Sequence, residues 1–210
     1  KCIAKMLAAR LKPIMGSLVS ANQGAFIPGR KMGDNIMLAQ FLCRDYHLQS
    51  GTPKFACKLD IRKAFDSLNW SFLWKTLHLM NFSPGFISWL KVCISSCKYS
   101  VKINGSLEGY FDAKSGLRQG DPLSPYLFVL AMEVLNACMK QSISEGDFQY
   151  HWRTTKLQLT HPVFADDLLQ FCHRNQDSIS LLLKGISLFS SILVLQFNLS
   201  KCHCFFGNVD

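Results

Sequence analysis

Two adjacent aspartates, Asp166 and Asp167, stand inside an otherwise apolar run, Pro162-Val-Phe-Ala-Asp-Asp-Leu-Leu-Gln-Phe171. The flanking residues suit two short buried strands, with the aspartates at the tight turn between them. Carboxylates held side by side repel, and drawing either charge out of water is expensive. A fold accommodates such a pair where a divalent cation supplies the opposing charge. The competing reading is an ordinary hairpin turn, where aspartate is common. Far upstream a third carboxylate, Asp60, ends another strand-like run, Phe55-Ala-Cys-Lys-Leu-Asp60. Three carboxylates brought together could hold two hard metal ions about 3.5–4 Å apart, an arrangement suited to in-line displacement at phosphorus.

The chain can bury a core large enough to position such residues: it has 210 residues, 49% of them hydrophobic and 12% aromatic. These fractions exclude a disordered segment. Its 23 Lys and Arg against 14 Asp and Glu give a net charge of +9. That excess fits either a polyanionic partner or a solvated basic surface. Because the basic residues are spread along the chain, they suggest a broad channel rather than a tail.

Nine cysteines make an odd number at irregular spacing, with no Cys-x-x-Cys pair. No secretory signal precedes them, so a reducing intracellular compartment and no disulfide-linked partner are expected. Cys43, Cys57, Cys93 and Cys138 lie in apolar runs as small core side chains. Cys202-His203-Cys204 lacks a second ligand pair at zinc-finger spacing and reads as structural, with both thiols on one strand face. No run is apolar enough for a membrane span, since Lys184 and several serines interrupt residues 179–197. The first residues, Lys1-Cys-Ile-Ala-Lys, are already in helical register, as though the chain opens in mid-domain.

Helical spacing covers residues 1–19, with Pro13 expected to bend or end the helix. A second helix is expected after Asp34 as N-cap, broken by Gly51-Thr-Pro53. Residues 55–61 read as a buried strand, residues 70–80 and 84–95 as helices, the latter with Pro84 at its first position. Asn104-Gly105 marks a hairpin between residues 98–103 and 107–111. A glycine-rich turn leads into a long helix over residues 124–144. The aspartate hairpin is expected over about 157–171, a helix over 177–192, and a last strand ending at Phe206-Gly207. Strands and helices mix without βαβ alternation, so the expected class is α+β.

Three segments, in this order, resemble the core motifs of reverse transcriptases: Leu59-Asp60-Ile61-Arg-Lys-Ala-Phe65-Asp66, Gly116-Leu-Arg-Gln119-Gly120-Asp-Pro122-Leu-Ser-Pro125 and Phe164-Ala165-Asp166-Asp167. The likeness is to non-LTR (LINE-type) retrotransposons, plant elements especially. Gln23-Gly-Ala-Phe26 with Gly29-Arg30 and Asp34-Asn35, and Asn198-Leu-Ser-Lys201 with Phe206-Gly207, extend it over nearly the whole chain. Each motif alone is weak; the ordered set is specific.

The resemblance implies a partial right-hand polymerase fold. Its palm is an antiparallel sheet with packed helices over residues 53–83 and 115–210, its fingers-like elements cover 1–52 and 84–114, and a thumb is absent. It implies an RNA-directed DNA polymerase adding dNTPs to a DNA primer on an RNA template, or a relic that keeps the fold and binds nucleic acid. Asp60, Asp166 and Asp167 match the catalytic carboxylates. With the Ile61 carbonyl they would ligate two Mg²⁺ ions, Mn²⁺ being the alternative. Phe65 matches the steric gate that excludes a ribose 2′-hydroxyl, set against a plain core phenylalanine. Lys63 and Ala64 flank the nucleotide, and Gln119 and Gly120 match the loop beneath it. Arg30, Arg118 and Lys63 are candidates for phosphate contact, set against solvated surface cations. Lys201 matches a lysine proposed to protonate pyrophosphate, set against an edge-strand lysine. Nuclear action is expected from the resemblance. The match frays at residues 191–197, where Val194 and Gln196 stand in place of the family's glycine and basic residue. No endonuclease or ribonuclease H segment is visible.

Overall fold

A computed structural model describes residues 1–48, 51–193 and 197–208; Val194 and Gln196 therefore lie outside the described residues. Four antiparallel strands form the central sheet: β1 (Lys54–Leu59), β4 (Val163–Phe164), β5 (Asp167–His173) and β6 (His203–Gly207), in the order β4-β5-β1-β6. Alternation along β1 sends Phe55, Cys57 and Leu59 to the main core and Ala56 to the opposite face. The partner strand does the same, with Leu168 and Cys172 on the main-core side and Leu169 and Phe171 on the other. A separate hairpin, β2 (Lys98–Ile103) and β3 (Ser106–Asp112), turns at Asn104 (φ 48°) and Gly105 (φ 94°). This turn has two left-handed residues in succession, which Asn-Gly adopts at little cost.

Helices cover both faces of the sheet. On the main-core side lie α7 (Ser124–Ser144) and α8 (Gln176–Leu193). Gly185 lets them cross closely, for a Cβ there would stand 2.7 Å from the Met139 sulfur. On the other face α3 (Met32–Cys43) buries Leu42 against Ala56 and Phe171. The remaining helices are α1 (Cys2–Leu11), α2 (Met15–Leu18), α4 (Ala64–Ser67), α5 (Trp70–Leu79) and α6 (Pro84–Ser95). Pro13 lies in a 3₁₀ turn, Lys12–Ile14, that separates α1 from α2. Side-chain caps start three helices among the described residues: Asn69 accepts the Phe72 N–H at 3.0 Å, Ser83 the Phe86 N–H at 3.4 Å and Asn175 the Ser178 N–H at 3.0 Å.

The fold is α+β, as expected, but α3 ends at Cys43 rather than running to Gly51, and Cys43 is exposed instead of lying in the core. Asp34 is not the N-cap of α3; Lys31 holds that position, and Asp34 sits in the first turn, where its charge complements the helix dipole. The aspartate hairpin is shorter than expected, because residues 157–158 belong to a turn and 159–162 form no strand, and Leu157 is exposed. Cys202 precedes β6 instead of lying in it.

A polar chain ties residues 20–22 to α7 and to the segment entering β4. The Ser20 hydroxyl donates to Glu133 Oε1 (2.6 Å), to which Asn136 Nδ2 also donates (2.9 Å). Asn22 Nδ2 faces Asn136 Oδ1 at 3.3 Å and His161 Nε2 at 3.2 Å. Since the amide donates, Nε2 accepts, and the His161 proton sits on Nδ1, which meets the Thr160 hydroxyl at 2.6 Å. Burial holds His161 down at about 4, with Lys140 adding to the shift. A depressed histidine contributes stability above its unfolded value, and that contribution is lost as pH falls. Chemical denaturation between pH 6.5 and 4 should therefore show a loss of about 3 kcal/mol attributable to His161. His161→Gln should be less stable at pH 7 but less sensitive to pH across that window; an unchanged slope would contradict this account.

Candidate active site

The turn joining β4 to β5 is two residues long, because Phe164 pairs with Asp167 and leaves Ala165 and Asp166 between them. Ala165 adopts φ 56°, a left-handed conformation that is about 1–2 kcal/mol uphill for a residue with a Cβ. The buried side chain of Gln23 holds it there. Gln23 Oε1 accepts the Ala165 N–H at 2.9 Å and Nε2 donates to the Ala165 carbonyl at 3.3 Å. Three backbone carbonyls, of Val19, Ser20 and Gln23, in turn accept from the Arg30 guanidinium at 2.9, 2.6 and 2.6 Å. The loop carrying Gln23 is thus anchored by Arg30. Asn35 Nδ2 donates to Val163 O at 3.0 Å, adding a tie from α3.

Strand alternation then separates the two aspartates. Asp166 sits on the turn and faces a cleft of about 350 Å³ that Asp60, Phe65, Gln119, Asn198 and Lys201 also line. Asp167 begins β5 on its α3 side, where Lys58 Nζ stands 3.8 Å from its carboxylate. The expected three-carboxylate set is therefore brought together only in part. Among the described residues no three His, Cys, Asp or Glu side chains are grouped to hold a metal ion.

The other wall of the cleft comes from the segment after β1. The Asp60 carbonyl accepts the Asn198 N–H at 2.8 Å, and Ile61 pairs with Phe197 in an isolated antiparallel bridge. In that register the flanking residues exchange the hydrogen bond, and the Ile61 carbonyl is left out of it. Lys63 is exposed and left-handed (φ 49°) at the start of α4. Ala64 is buried, and Phe65 stacks on Phe128 with ring centres 4.3 Å apart.

The glycine-rich turn docks on this segment. The Gly116 N–H donates to Leu68 O at 2.8 Å, the Leu117 N–H to Phe65 O at 2.7 Å, and the Trp70 indole to Gly116 O at 2.7 Å. With φ +82° and a hypothetical Cβ only 2.4 Å from Asp66 O, position 116 admits glycine alone. Gln119 and Gly120 follow, both exposed. Arg118 is occupied differently from expectation: Nη2 donates to Asp121 Oδ2 at 2.8 Å and to Cys93 O at 3.3 Å, pinning the turn to α6. Arg30 thus anchors backbone carbonyls and Arg118 pairs chiefly with the Asp121 carboxylate, while Lys63 and Lys201 are exposed along the cleft.

Burial raises the Asp166 carboxyl above the usual carboxylate range, and the nearby charges of Asp167 and Asp60 raise it further. Carboxylate oxygens form a hard donor set, and mutual repulsion at Asp166 fits it to a divalent cation. Sequence reasoning gave no role to Gln23, Asn198 or Lys58. Gln23 and Asn198 belong to motifs, but no local pattern reveals a contact spanning 142 residues such as that of Gln23 with Ala165.

Residues 1–208 match the family described as reverse transcriptase (RNA-dependent DNA polymerase). The chain is 33% identical over 144 residues to the transposon TX1 uncharacterized 149 kDa protein of Xenopus laevis, covering 69% of this chain and 11% of that protein. It is 27% identical over 206 residues to the retrovirus-related Pol polyprotein from the type-2 retrotransposable element R2DM of Drosophila melanogaster, covering 95% of this chain and 19% of that one. It thus spans no more than a fifth of these relatives. Among solved structures, apo telomerase of Candida tropicalis truncated from its C-terminal domain superposes with a TM-score of 0.65 at 15% identity, covering 99% of this chain and 40% of that one. No helix among the described residues is long and apolar enough to cross a membrane.

Because Asp166 is held above its ordinary range, its ionisation opposes folding of the metal-free protein as pH rises through that range. Asp166→Asn should therefore raise the melting temperature of the metal-free chain at pH 7 and leave it unchanged near pH 3. Added Mg²⁺ should raise the melting temperature of the original chain and do so much less in the variant. Equal Mg²⁺ responses in the two proteins would sink the assignment of a cation to this cleft.

Proposed function

The chain belongs to the reverse transcriptase (RNA-dependent DNA polymerase) family, as the reverse transcriptase domain of a LINE-type element, and from that premise we propose that it forms the nucleotidyl-transfer centre of an RNA-directed DNA polymerase. The observation that carries the proposal is the cleft in which Asp60 and Asp166 face Phe65, Gln119 and Lys201. In this reading the central sheet is the palm, and residues 1–52 and 84–114 are fingers-like.

Asp60 and Asp166, with the Ile61 carbonyl beside them, would hold two Mg²⁺ ions, Mn²⁺ being the alternative. Bound there, the ions supply Lewis-acid activation of a primer 3′-hydroxyl and neutralise a dNTP triphosphate. Asp167 adds negative potential at Asp166 while its own charge is offset by Lys58. Phe65, backed by Phe128, presents a ring edge beneath the sugar, where a 2′-hydroxyl would collide with it. Lys63 offers a point charge to the triphosphate, and Lys201 is placed to donate a proton to departing pyrophosphate.

A path for the nucleic acid runs from the same cleft. A groove of about 330 Å³ lined by Phe26, Phe65, Gln119 and Gly120 adjoins it. A further groove of about 280 Å³ shares Phe26 and adds Lys5, Lys12 and Tyr126. Residues 1–33 carry six Lys or Arg and no Asp or Glu, so this side of the molecule suits a polyanion. Aromatic rings along a basic groove suit unpaired bases. An RNA template and a DNA primer are the proposed partners, and the telomerase structure of Candida albicans in complex with a fragment of telomeric RNA agrees with an RNA partner. Nuclear action follows from the family resemblance alone.

The test is Mg²⁺-dependent primer extension on an RNA template by a protein carrying this chain joined to the thumb of a relative. Asp60→Asn and Asp166→Asn should each lower the extension rate roughly a thousandfold, the equivalent of about 4 kcal/mol of lost transition-state stabilisation. Activity retained in the double variant would refute the proposal. Phe65→Ala in the same protein should raise incorporation of ribonucleotides relative to deoxynucleotides, measured as the ratio of kcat/KM values. An unchanged ratio would leave Phe65 a packing residue on Phe128.

A further inference from the structure

Strand β6 is an edge of the central sheet, and its Cys204 lies in register with Cys57 of β1. The two sulfurs are 3.0 Å apart, about 1 Å beyond a disulfide bond length. Both are free thiols, and they differ in access: Cys57 is buried and Cys204 exposed. We propose that Cys57 and Cys204 form a peroxide-sensitive dithiol, whose oxidation staples β6 to β1 beside the cleft.

The asymmetry sets the order of events. Thiolate reactivity requires access and ionisation. Burial pushes the Cys57 thiol up, and so do the neighbouring Cys204 and Cys202 sulfurs, so Cys57 is not the first to react. The exposed Cys204 thiolate attacks one oxygen of hydrogen peroxide, breaking the O–O bond. The product is Cys204 sulfenic acid, and the other oxygen leaves as hydroxide and is protonated to water. Cys57 sulfur then attacks the Cys204 sulfur, forming the S–S bond and expelling hydroxide, which takes up the Cys57 proton as a second water. Two thiols lose two electrons and two protons, and one peroxide is reduced to two waters. An external dithiol reverses the bond by exchange.

The position of the pair gives the bond its consequence, which rests on the polymerase reading above. Leu59, the last residue of β1, directly precedes Asp60, and β6 begins two residues after Lys201. The bond would therefore fix the two strands that carry Asp60 and Lys201 to the cleft, closing a loop that includes α7, α8 and both aspartates of the hairpin. Cys202, half-buried and close enough to act on the Cys57 charge, is the competing partner.

The test treats the 210-residue chain with hydrogen peroxide, blocks remaining thiols and maps the peptides by mass. The expected result is a link between Cys57 and Cys204 with loss of about 2 Da, reversed by dithiothreitol. The melting temperature of the oxidised protein should rise by about 5 °C or more over the reduced form. Cys204→Ser, at an exposed position, should melt like the reduced protein and form no link at Cys57, whereas Cys202→Ser should form it unchanged. A link to Cys202 instead, or Cys204 over-oxidised while Cys57 remains open to alkylation, would overturn the proposal. Because the readout is covalent mass, this outcome is independent of whether the protein polymerises DNA.

Discussion

A single side chain, Gln23, holds the turn on which the cleft depends. The Ala165 backbone is left-handed, and an isolated hairpin with alanine there would relax to another turn. By accepting from the Ala165 N–H and donating to its carbonyl, Gln23 acts as a short peptide strand laid against the turn. Buried amide bonds of this kind are costly to leave unmade, so the turn and the 19–30 loop stabilise each other. Arg30 closes the arrangement from behind by engaging three carbonyls of that loop. Strain located at the functional turn is thereby balanced by contacts made elsewhere.

The sequence exposed the outline of this arrangement because local chemistry carries much of it. Asn104-Gly105 specified its hairpin, Pro84 specified the start of α6, and Pro13 separated α1 from α2. Ordered motifs located Asp60, the Gly116 turn and Asp166 on one site, although they lie far apart in the chain. What local chemistry could not carry was the direction of individual side chains. Arg30 and Arg118 look like phosphate ligands when only their charge is considered, yet Arg30 donates to three backbone carbonyls and Arg118 pairs with the Asp121 carboxylate. Asp167 looks like a twin of Asp166, yet one step along the chain moves it from a turn to a strand face.

That one step has an electrostatic result. Were both aspartates aimed into the cleft beside Asp60, three carboxylates would compete for the same small volume. Alternation instead places Asp167 next to Lys58, whose stem comes from β1, the strand that also delivers Asp60. Lys58 and Asp167 are both well exposed, so their pairing contributes little to stability. Its use is geometric, in partly offsetting one negative charge that still acts on Asp166.

The residual field leaves the ionised Asp166 without a counter-charge among the described residues. Asp166 is partly buried, and its two acidic neighbours make its ionised form less favourable still. A divalent cation in the proposed site would reverse the sign of that interaction, so that free energy opposing ionisation would favour binding. Since Asp166 is positioned by the β4–β5 turn and Asp60 by the end of β1, cation binding would also draw together two strands already paired in the sheet. Little reorganisation of the backbone is then required, because Gln23 has fixed the turn beforehand. Strand β1 also carries Cys57, which faces Cys204 of β6 across its other edge, so a bond there and an ion in the cleft would restrain β1 from opposite edges.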